Sequence, residues 1–322
     1  MGLPKLRFGF REPDIDTNRP LIDGTVKIEG FEIEVSKFRG ADSIDAWDAS
    51  FGALMTTKGR GEHPYVSIPA FPNRKFRLQY IFVNSAAGIE TPRDLEGKRV
   101  GVFAWDNTAG VWERGALQDY YGVDFTRVIW CIPGTRTQGW TPGIRVEPLP
   151  PECHSNDAAF EKRLLSGELD AVLVPNVLPS ISRKDPRVRR LFPDYKTEEQ
   201  SYFKKTGIFP ISHVVTLKQE FVAEHPDAPM ALLNAYCRAR DVAFDRIYGS
   251  DPEVVVISWA SAAMDEQRAV MGDDYWPYTV EDNARTLEAM MEYAHRFGVT
   301  QKKLDYRTLF HPELPAVGAS NG

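Results

Sequence analysis

The sequence has few cysteines and no long apolar run. Cys131, Cys153 and Cys237 are the only cysteines among 322 residues, and their spacing shows no pairs. A disulfide framework is therefore not expected, and this usage is typical of a reducing compartment. No stretch of about 18 apolar residues occurs, as a membrane-spanning helix would need. Residues 1–10 enter an alternating strand pattern without an apolar signal region, so we expect a cytoplasmic protein that does not bind membranes.

The sequence also lacks a basic stripe and the short motifs of metal and cofactor sites. Its 39 lysines and arginines are scattered and its net charge is -6, so nucleic acid is not an expected partner. The six histidines show neither His-x-His nor His-Glu-x-x-His spacing, so no metal site is predicted. A phosphate-binding glycine loop, a nucleophile elbow and a dinucleotide fingerprint are missing too, so no cofactor is predicted. The expected partner is a small molecule, and homo-oligomer formation stays open.

The sequence contains instead an alternation of short apolar strands with helical stretches. Hydrophobic residues make up 43% of the chain and charged residues 26%, and the length suffices for two lobes. The alternation is typical of an α/β protein with a largely parallel sheet. We predict strands at residues 5–10, 26–36 and 99–103, and a helix at 111–121. Asn107 or Thr108 would cap this helix at its start, and Gly122 would end it.

A short internal echo indicates two similar lobes. Residues 44–47 (Ile-Asp-Ala-Trp) and 169–172 (Leu-Asp-Ala-Val) share one pattern, which predicts an equivalent strand in each lobe. We assign residues 1–84 and 210–322 to lobe 1 and residues 85–209 to lobe 2. The chain would return to lobe 1 along residues 207–217. A cleft between two lobes is a favoured place for a small ligand.

One histidine, His213, stands in an otherwise apolar, strand-like run at residues 202–215. Imidazole titrates near neutrality, so a histidine beside a cleft can donate or accept a proton. The alternative is a core histidine whose ring bonds a backbone carbonyl. The predicted return of the chain would set His213 at the hinge, which favours the first interpretation.

Six ordered strings resemble the 4,5-dihydroxyphthalate decarboxylase family, whose members are built like type II periplasmic substrate-binding proteins. The resemblance covers nearly the whole chain. Its strings are Phe-Pro-Asn-Arg-Lys-Phe-Arg (71–77), Asp-Leu-Glu-Gly-Lys-Arg-Val-Gly-Val (94–102), Thr-Ala-Gly-Val-Trp-Glu-Arg-Gly (108–115), Arg-Arg-Leu-Phe-Pro-Asp-Tyr (189–195), Thr-Gly-Ile-Phe-Pro-Ile-Ser-His (206–213) and Met-Gly-Asp-Asp-Tyr-Trp-Pro-Tyr (271–278). The second string is common to many binding proteins of this architecture and supports only the fold. The first, third and fifth strings discriminate the family.

The resemblance implies a two-lobed α/β fold and loss of carbon dioxide from a hydroxylated aromatic acid, without an organic cofactor. A ring hydroxyl ortho or para to the carboxylate-bearing carbon feeds electrons to that carbon, which is then protonated before carbon dioxide leaves. His213 is the candidate for the acid, or for the base that deprotonates the hydroxyl. Asp48 could accept a hydroxyl proton or cap a helix, and Ser50 beside it carries a hydroxyl that relatives also place there.

Arginines are the candidate carboxylate anchors, because a guanidinium can make two parallel hydrogen bonds to a carboxylate. The resemblance favours Arg74 for this role. Arg77 could equally serve in the site or in a surface ion pair. Arg11 follows the first predicted strand, at the end where α/β sheets bind ligands. It could equally pair with Glu12 or Asp14.

The turn before the predicted helix is a second candidate anchor. Asn107 and Thr108 would present backbone amides to an anion, although both would also serve as simple caps. Trp105 in this turn is the better candidate for a ligand-facing aromatic ring. Relatives usually carry an arginine near Asn176, so this chain is expected to differ in the substrate that it prefers. The alternative function is a solute-binding protein, which would share the lobes and the anion-holding turn but need no acid.

Overall fold

The computed structural model describes residues 2–38, 40–134, 143–249, 255–312 and 314. The strands of these ranges are β1 (Lys5–Phe10), β2 (Glu32–Lys37), β3 (Ala46–Ser50), β4 (Tyr65–Ser67), β5 (Ile81–Asn84), β6 (Arg99–Val102), β7 (Ile129–Pro133), β8 (Arg145–Leu149), β9 (Ala171–Leu173), β10 (Val188–Arg190) and β11 (His213–Lys218).

The α-helices of the same ranges lie between and after the strands. They are α1 (Arg19–Ile22), α2 (Phe51–Gly59), α3 (Thr108–Asp119), α4 (Asp157–Ser166), α5 (Pro179–Ser182), α6 (Tyr195–Thr206), α7 (Gln219–Glu224), α8 (Ala228–Tyr248), α9 (Ala260–Met271) and α10 (Ala284–Arg296). Within the described part of the chain, no helix combines the length and the apolar character that a membrane crossing requires.

The strands form two mixed sheets, as expected for the two-lobed α/β fold. The first has the order β2-β1-β3-β11-β4, in which β1 is parallel to β2 and β3 while β11 is antiparallel to β3 and β4. The second has the order β10-β5-β9-β6-β7-β8, in which β5 is antiparallel to β10 and β9 and the remaining pairs are parallel. The alternation of strands and helices in the sequence predicted this class correctly.

The internal echo corresponds to a real structural repeat. β3 and β9 occupy equivalent places, because each lies between a parallel neighbour and an antiparallel one. The aspartates that precede β3 and β9 make the same kind of hydrogen bond. The carboxylate of Asp45 accepts the backbone N–H of Arg7 at 2.9 Å, and that of Asp170 accepts the backbone N–H of Arg99 at 2.8 Å. Each carboxylate thus accepts a backbone N–H of the neighbouring parallel strand, past the point where the hydrogen bonds between the two strands end.

Two segments connect the sheets, and they are hydrogen-bonded to each other. The chain leaves the first sheet after β4 and enters the second at β5, and it returns between α6 and β11. Arg74 and Ile211 form an antiparallel bridge, and the backbone N–H of Ser212 donates to the carbonyl of Asn73 at 2.8 Å. We call residues 68–80 and 207–212 the crossing segments. The second crossing segment thus ends where β11 begins, at His213.

Some boundaries differ from the predictions. β5 (Ile81–Asn84) falls within the range assigned to lobe 1, yet it pairs with β9 and β10 in the second sheet. The chain thus changes sheets before residue 84, and the lobe boundaries themselves stay a prediction. The strand predicted at 26–36 is confined to β2, because Val26 and Ile28 enter the core from a loop rather than from a ladder. Helix α3 begins at Thr108, earlier than predicted.

Helix α3 has the predicted caps. The side chain of Asn107 accepts the backbone N–H of Gly110 at 3.2 Å, so Asn107 rather than Thr108 is the N-cap. Gly122 has a φ of 69°, a conformation that glycine adopts without strain at the end of a helix. The first ten residues of α3 are buried, and Tyr293 of α10 packs against this helix at Gly115. α10 also contacts α2, so this C-terminal helix touches elements of both sheets.

Candidate functional site

The carboxyl end of β3 meets the start of β11 at the junction of the two sheets. In the antiparallel register, His213 faces Ser50 and Val215 faces Asp48. Diagonal neighbours on one face of such a pair lie close enough to interact. Accordingly, Oδ2 of Asp48 lies 3.5 Å from Nδ1 of His213.

The Asp48–His213 pair is buried and incompletely hydrogen-bonded. Asp48 has no exposed side-chain surface, and the side chain of His213 is 12% exposed. Oδ1 of Asp48 accepts the backbone N–H of Arg11 at 2.6 Å. Neither Oδ2 of Asp48 nor Nδ1 of His213 has a hydrogen-bond partner in the described ranges. A buried carboxylate in this position can orient an imidazole and stabilise its protonated form.

The first crossing segment contributes two buried arginines. Nη2 of Arg74 donates to the carbonyl of Phe209 at 2.9 Å, and the guanidinium lies 4.5 Å from the centre of the Phe209 ring. Nη2 of Arg77 donates to Oγ of Ser212, the residue before His213. Both side chains are buried, and burial lowers both pKa values, that of Arg74 to about 9.

Both guanidinium groups keep donors that the described chain does not use. Nε and Nη1 of Arg74 and of Arg77 have no hydrogen-bond partner there, and the described ion pairs include neither residue. A buried cation without a partner costs several kcal/mol on the order-of-magnitude scale for buried ions. The first crossing segment thus carries two buried cations without an ion-pair partner in the described chain. We refer to Asp48, Ser50, Arg74, Arg77 and His213 as the junction cluster.

Two helix N-termini meet beside the junction cluster. Ser50 is the N-cap of α2, and Oγ of Ser50 lies 2.9 Å from Oγ1 of Thr108, the first residue of α3. Oγ1 of Thr108 also accepts the backbone N–H of Gly52 at 2.8 Å. The approach needs a glycine, since a Cβ on Gly52 would lie 2.1 Å from the carbonyl oxygen of Asp106. The positive ends of both helix dipoles therefore point to the same region.

Not all predicted site residues lie in the junction cluster. Trp105 is 1% exposed, donates its indole N–H to the carbonyl of Phe297 at 2.5 Å and packs against Trp130, so its ring faces the core. Asn176 is exposed and donates to Oδ2 of Asp157 at 3.0 Å. Arg11 contributes its backbone N–H to Asp48, while its guanidinium lies 4.1 Å from the centre of the Phe38 ring. Asn107 acts as the cap of α3.

Sequence reasoning missed Glu113. This residue lies in the buried half of α3, has no exposed surface, and neither carboxyl oxygen has a hydrogen-bond partner among the described residues. Burial raises the pKa of Glu113 well above its usual value, against the opposing effects of Arg77 and Arg114. The available signal was an acidic residue that follows the apolar pair Val111 and Trp112, within the third family-like string.

In residues 2–38, 40–134, 143–249, 255–312 and 314, no three His, Cys, Asp or Glu side chains group in a way that could hold a metal ion.

Comparison with known proteins identifies the family. The chain is 31% identical over 328 residues to a 4,5-dihydroxyphthalate decarboxylase from Comamonas testosteroni, covering 96% of this chain and 98% of that protein. The chain belongs to the 4,5-dihydroxyphthalate decarboxylase family. A second member, from Pseudomonas putida and of the same name, is 32% identical over 200 residues, covering 58% of this chain and 77% of that protein. No family model matches the chain.

Solved structures with the same fold include binding proteins and an enzyme. The aliphatic sulphonate-binding protein SsuA from Escherichia coli has a TM-score of 0.56 at 13% identity, covering 96% of this chain and 98% of that one. The desulfurization enzyme DSZB has a TM-score of 0.53 at 15% identity, with 96% and 97% covered. These likenesses show that this member of the decarboxylase family has the two-lobed periplasmic-binding-protein-like fold.

Proposed function

We propose that the protein decarboxylates a hydroxylated aromatic carboxylic acid, and that 4,5-dihydroxyphthalate is the first substrate to test. The observation that carries this proposal is the pairing of Asp48 with His213 beside two buried arginines whose N–H groups are partly unused. Such a site offers both a proton-transfer group and anion-binding donors. Membership of the decarboxylase family supports the same reaction class.

The arginines hold the substrate in this proposal. Arg74 and Arg77 each have Nε and Nη1 available, and because Cδ lies between the directions of these two donors, each donates a separate hydrogen bond to a carboxylate oxygen of the substrate. A phthalate carries two carboxylates, so the two arginines match it in number and charge. Binding would supply the counter-charge that both buried guanidinium groups lack.

The Asp48–His213 pair acts on the ring hydroxyl. His213 accepts the hydroxyl proton, and Asp48 stabilises the imidazolium that forms. The resulting phenolate pushes electrons toward the ring carbon that carries the departing carboxylate. That carbon takes up a proton, the bond to the carboxylate breaks, and its electron pair restores the aromatic ring as carbon dioxide leaves. A positioned proton-transfer group contributes about 10²–10⁴-fold in rate.

The alternative is a solute-binding protein, and the structural likeness to SsuA favours it as the second candidate. The two functions differ in turnover. A binding protein would hold aromatic acids tightly without changing them, whereas an enzyme releases carbon dioxide and the decarboxylated phenol.

A substrate panel with matched histidine variants tests the proposal. The purified protein is incubated with 4,5-dihydroxyphthalate and with mono-hydroxybenzoates, and carbon dioxide and phenolic products are measured. We expect turnover, and we expect His213→Ala to lose about 10²–10⁴-fold in kcat with its fold intact. His225→Ala is the control, because His225 packs against Phe31 and Phe221 outside the junction cluster. Tight binding without turnover across the panel would favour the solute-binding alternative.

A further inference from the structure

The surroundings of Glu113 favour the neutral, protonated form of its carboxyl group. It lies in the middle of α3 with no exposed surface, and both of its carboxyl oxygens lack a hydrogen-bond partner among the described residues. Burying an ionised carboxylate without a partner is expensive, so a group in this position takes up a proton. Burial is indeed the main cause of its raised pKa.

Helix α3 is tied to the second crossing segment at the residue before Glu113. Trp112, the preceding residue, donates its indole N–H to the carbonyl of Ile211 at 2.8 Å, which ties the helix to the second crossing segment. Arg77 is the charged group with the largest influence on Glu113, and Nη2 of Arg77 donates to Ser212. Glu113 is thus coupled electrostatically to an arginine that contacts the residue before His213.

The absence of a close ion pair decides between two roles. A carboxylate that positions Arg77 would contact its guanidinium directly, yet no ion pair of Glu113 with Arg77 or Arg114 occurs within 4.0 Å in the described chain. Arg114 instead donates to the carbonyl of Trp105 and lies 3.9 Å from the centre of that ring. Neither arginine therefore satisfies the Glu113 carboxyl, and both of its oxygens stay unpartnered in the described chain.

We propose that Glu113 is the acid that protonates the substrate ring carbon, while His213 handles the hydroxyl proton. This inference rests on the proposed decarboxylase function. The proton of the Glu113 carboxyl forms the new C–H bond at the carbon that carries the departing carboxylate. The electron pair of the broken C–C bond returns to the ring, and carbon dioxide leaves. Water reprotonates Glu113 after product release, so each turnover consumes one proton from solvent, as the overall reaction requires.

His213 and Glu113 transfer different protons in this scheme. His213 takes the hydroxyl proton and returns it when the ring regains aromaticity, so its protons balance to zero. Glu113 supplies the proton that stays in the product. Glu113, which is shielded from solvent, protonates the carbon. His213, which has Asp48 as its partner, carries the transient positive charge.

The test compares Glu113→Gln, Glu113→Asp and the control Glu161→Gln with 4,5-dihydroxyphthalate as substrate. Glu161 is a second buried glutamate, but it accepts hydrogen bonds from the backbone N–H of Ser180 and from Arg183, outside the junction cluster. We expect Glu113→Gln to lose about 10²–10⁴-fold in kcat with KM changed less than about threefold, because glutamine keeps the shape but has no transferable proton. Glu161→Gln is expected to keep wild-type kcat.

Hydrogen exchange into the product separates a chemical role from a structural one. Wild type incubated with 3,4-dihydroxybenzoate in D₂O is expected to exchange the ring hydrogen introduced by decarboxylation, as seen by NMR, and Glu113→Gln is expected to lose this exchange. If Glu113→Gln misfolds, Glu113→Asn replaces it, and Glu113→Asp should exceed the kcat of the folded amide variant at least about 10-fold.

Two results overturn the inference while leaving the proposed function standing: near-wild-type kcat in Glu113→Gln, or an aspartate variant no more active than the glutamine variant. Absence of turnover by wild type would instead overturn the proposed function itself.

Discussion

Replacing Arg74 by methionine should separate stability from binding. Burial lowers the pKa of Arg74 from its usual range to about 9. At about 1.4 kcal/mol for each tenfold change in the ionisation equilibrium, this charge costs the folded protein about 5 kcal/mol. Methionine has a similar length and no charge, so Arg74→Met removes that cost together with two unused N–H donors.

The contacts that Arg74 loses offset part of this gain. Its hydrogen bond to the carbonyl of Phe209 is worth about 1.5–3 kcal/mol, as for charged donors. The contact of its guanidinium with the Phe209 ring adds about 1–2 kcal/mol. We therefore expect Arg74→Met to be as stable as wild type or up to about 3 kcal/mol more stable in urea denaturation at pH 7.

Ligand affinity should move in the opposite direction. Two charge-assisted hydrogen bonds to a carboxylate, at about 1.5–3 kcal/mol each, correspond to at least about a 100-fold rise in Kd for 4,5-dihydroxyphthalate. Titration calorimetry measures this change. Arg285→Met is the matched control, because Nη1 of Arg285 also donates to a backbone carbonyl, that of Thr206, but at an exposed position. If Arg74→Met loses more than about 2 kcal/mol of stability and binds within about threefold of wild type, Arg74 is structural and the reasoning is refuted.

Three further predictions test other parts of the site. Gly52→Ala should lower kcat/KM at least about 10-fold without unfolding the protein, because its Cβ would meet the carbonyl oxygen of Asp106 and force α2 away from α3; unchanged kinetics would show that this contact is dispensable. Burial raises the pKa of Glu199 from 4.5 to about 7. The folded state therefore keeps this proton to a higher pH than the unfolded state does, and wild type should lose about 3 kcal/mol of unfolding free energy as the pH rises from 4.5 to 7. Urea denaturation at pH 4.5 and 7.5 should show that Glu199→Gln lacks this loss, and parallel pH curves for the two proteins would contradict it. Asp48→Asn should lower kcat about 10²-fold or more in steady-state assays while substrate Kd stays close to wild type, since the amide cannot stabilise a protonated His213; equal kcat would remove the pair from the mechanism.

The sequence predicted the fold from patterns that act locally. Alternating apolar residues identified β1, and the repeated Asp-Ala pattern identified β3 and β9, because each pattern reflects contacts within one sheet. The cap at Asn107 was equally local, since its partner Gly110 is three residues away. The change of sheets before β5 was not visible, because an apolar strand of this length fits either sheet.

The candidate site was predictable only where the residue type carries its own chemistry. His213 was proposed because it stands in an apolar run, and Arg74 was proposed from the family resemblance. Trp105 was misplaced because the core packing of its ring depends on Trp130 and Phe297, which are distant in the sequence. Glu113 was overlooked because its lack of partners becomes visible only after the helix is packed.

The place of β11 in the first sheet has a consequence for biosynthesis. β11 lies between β3 and β4, so these two strands have no common neighbour until residues 213–218 have been made. Residues 68–212 separate β4 from β11 and take roughly 7–30 s to translate at about 5–20 residues per second. All strands of the second sheet lie inside that interval. The second sheet can thus be complete on the ribosome while β3 is paired only with β1 and β4 has no partner strand. During this period a chaperone would have an exposed strand edge to protect.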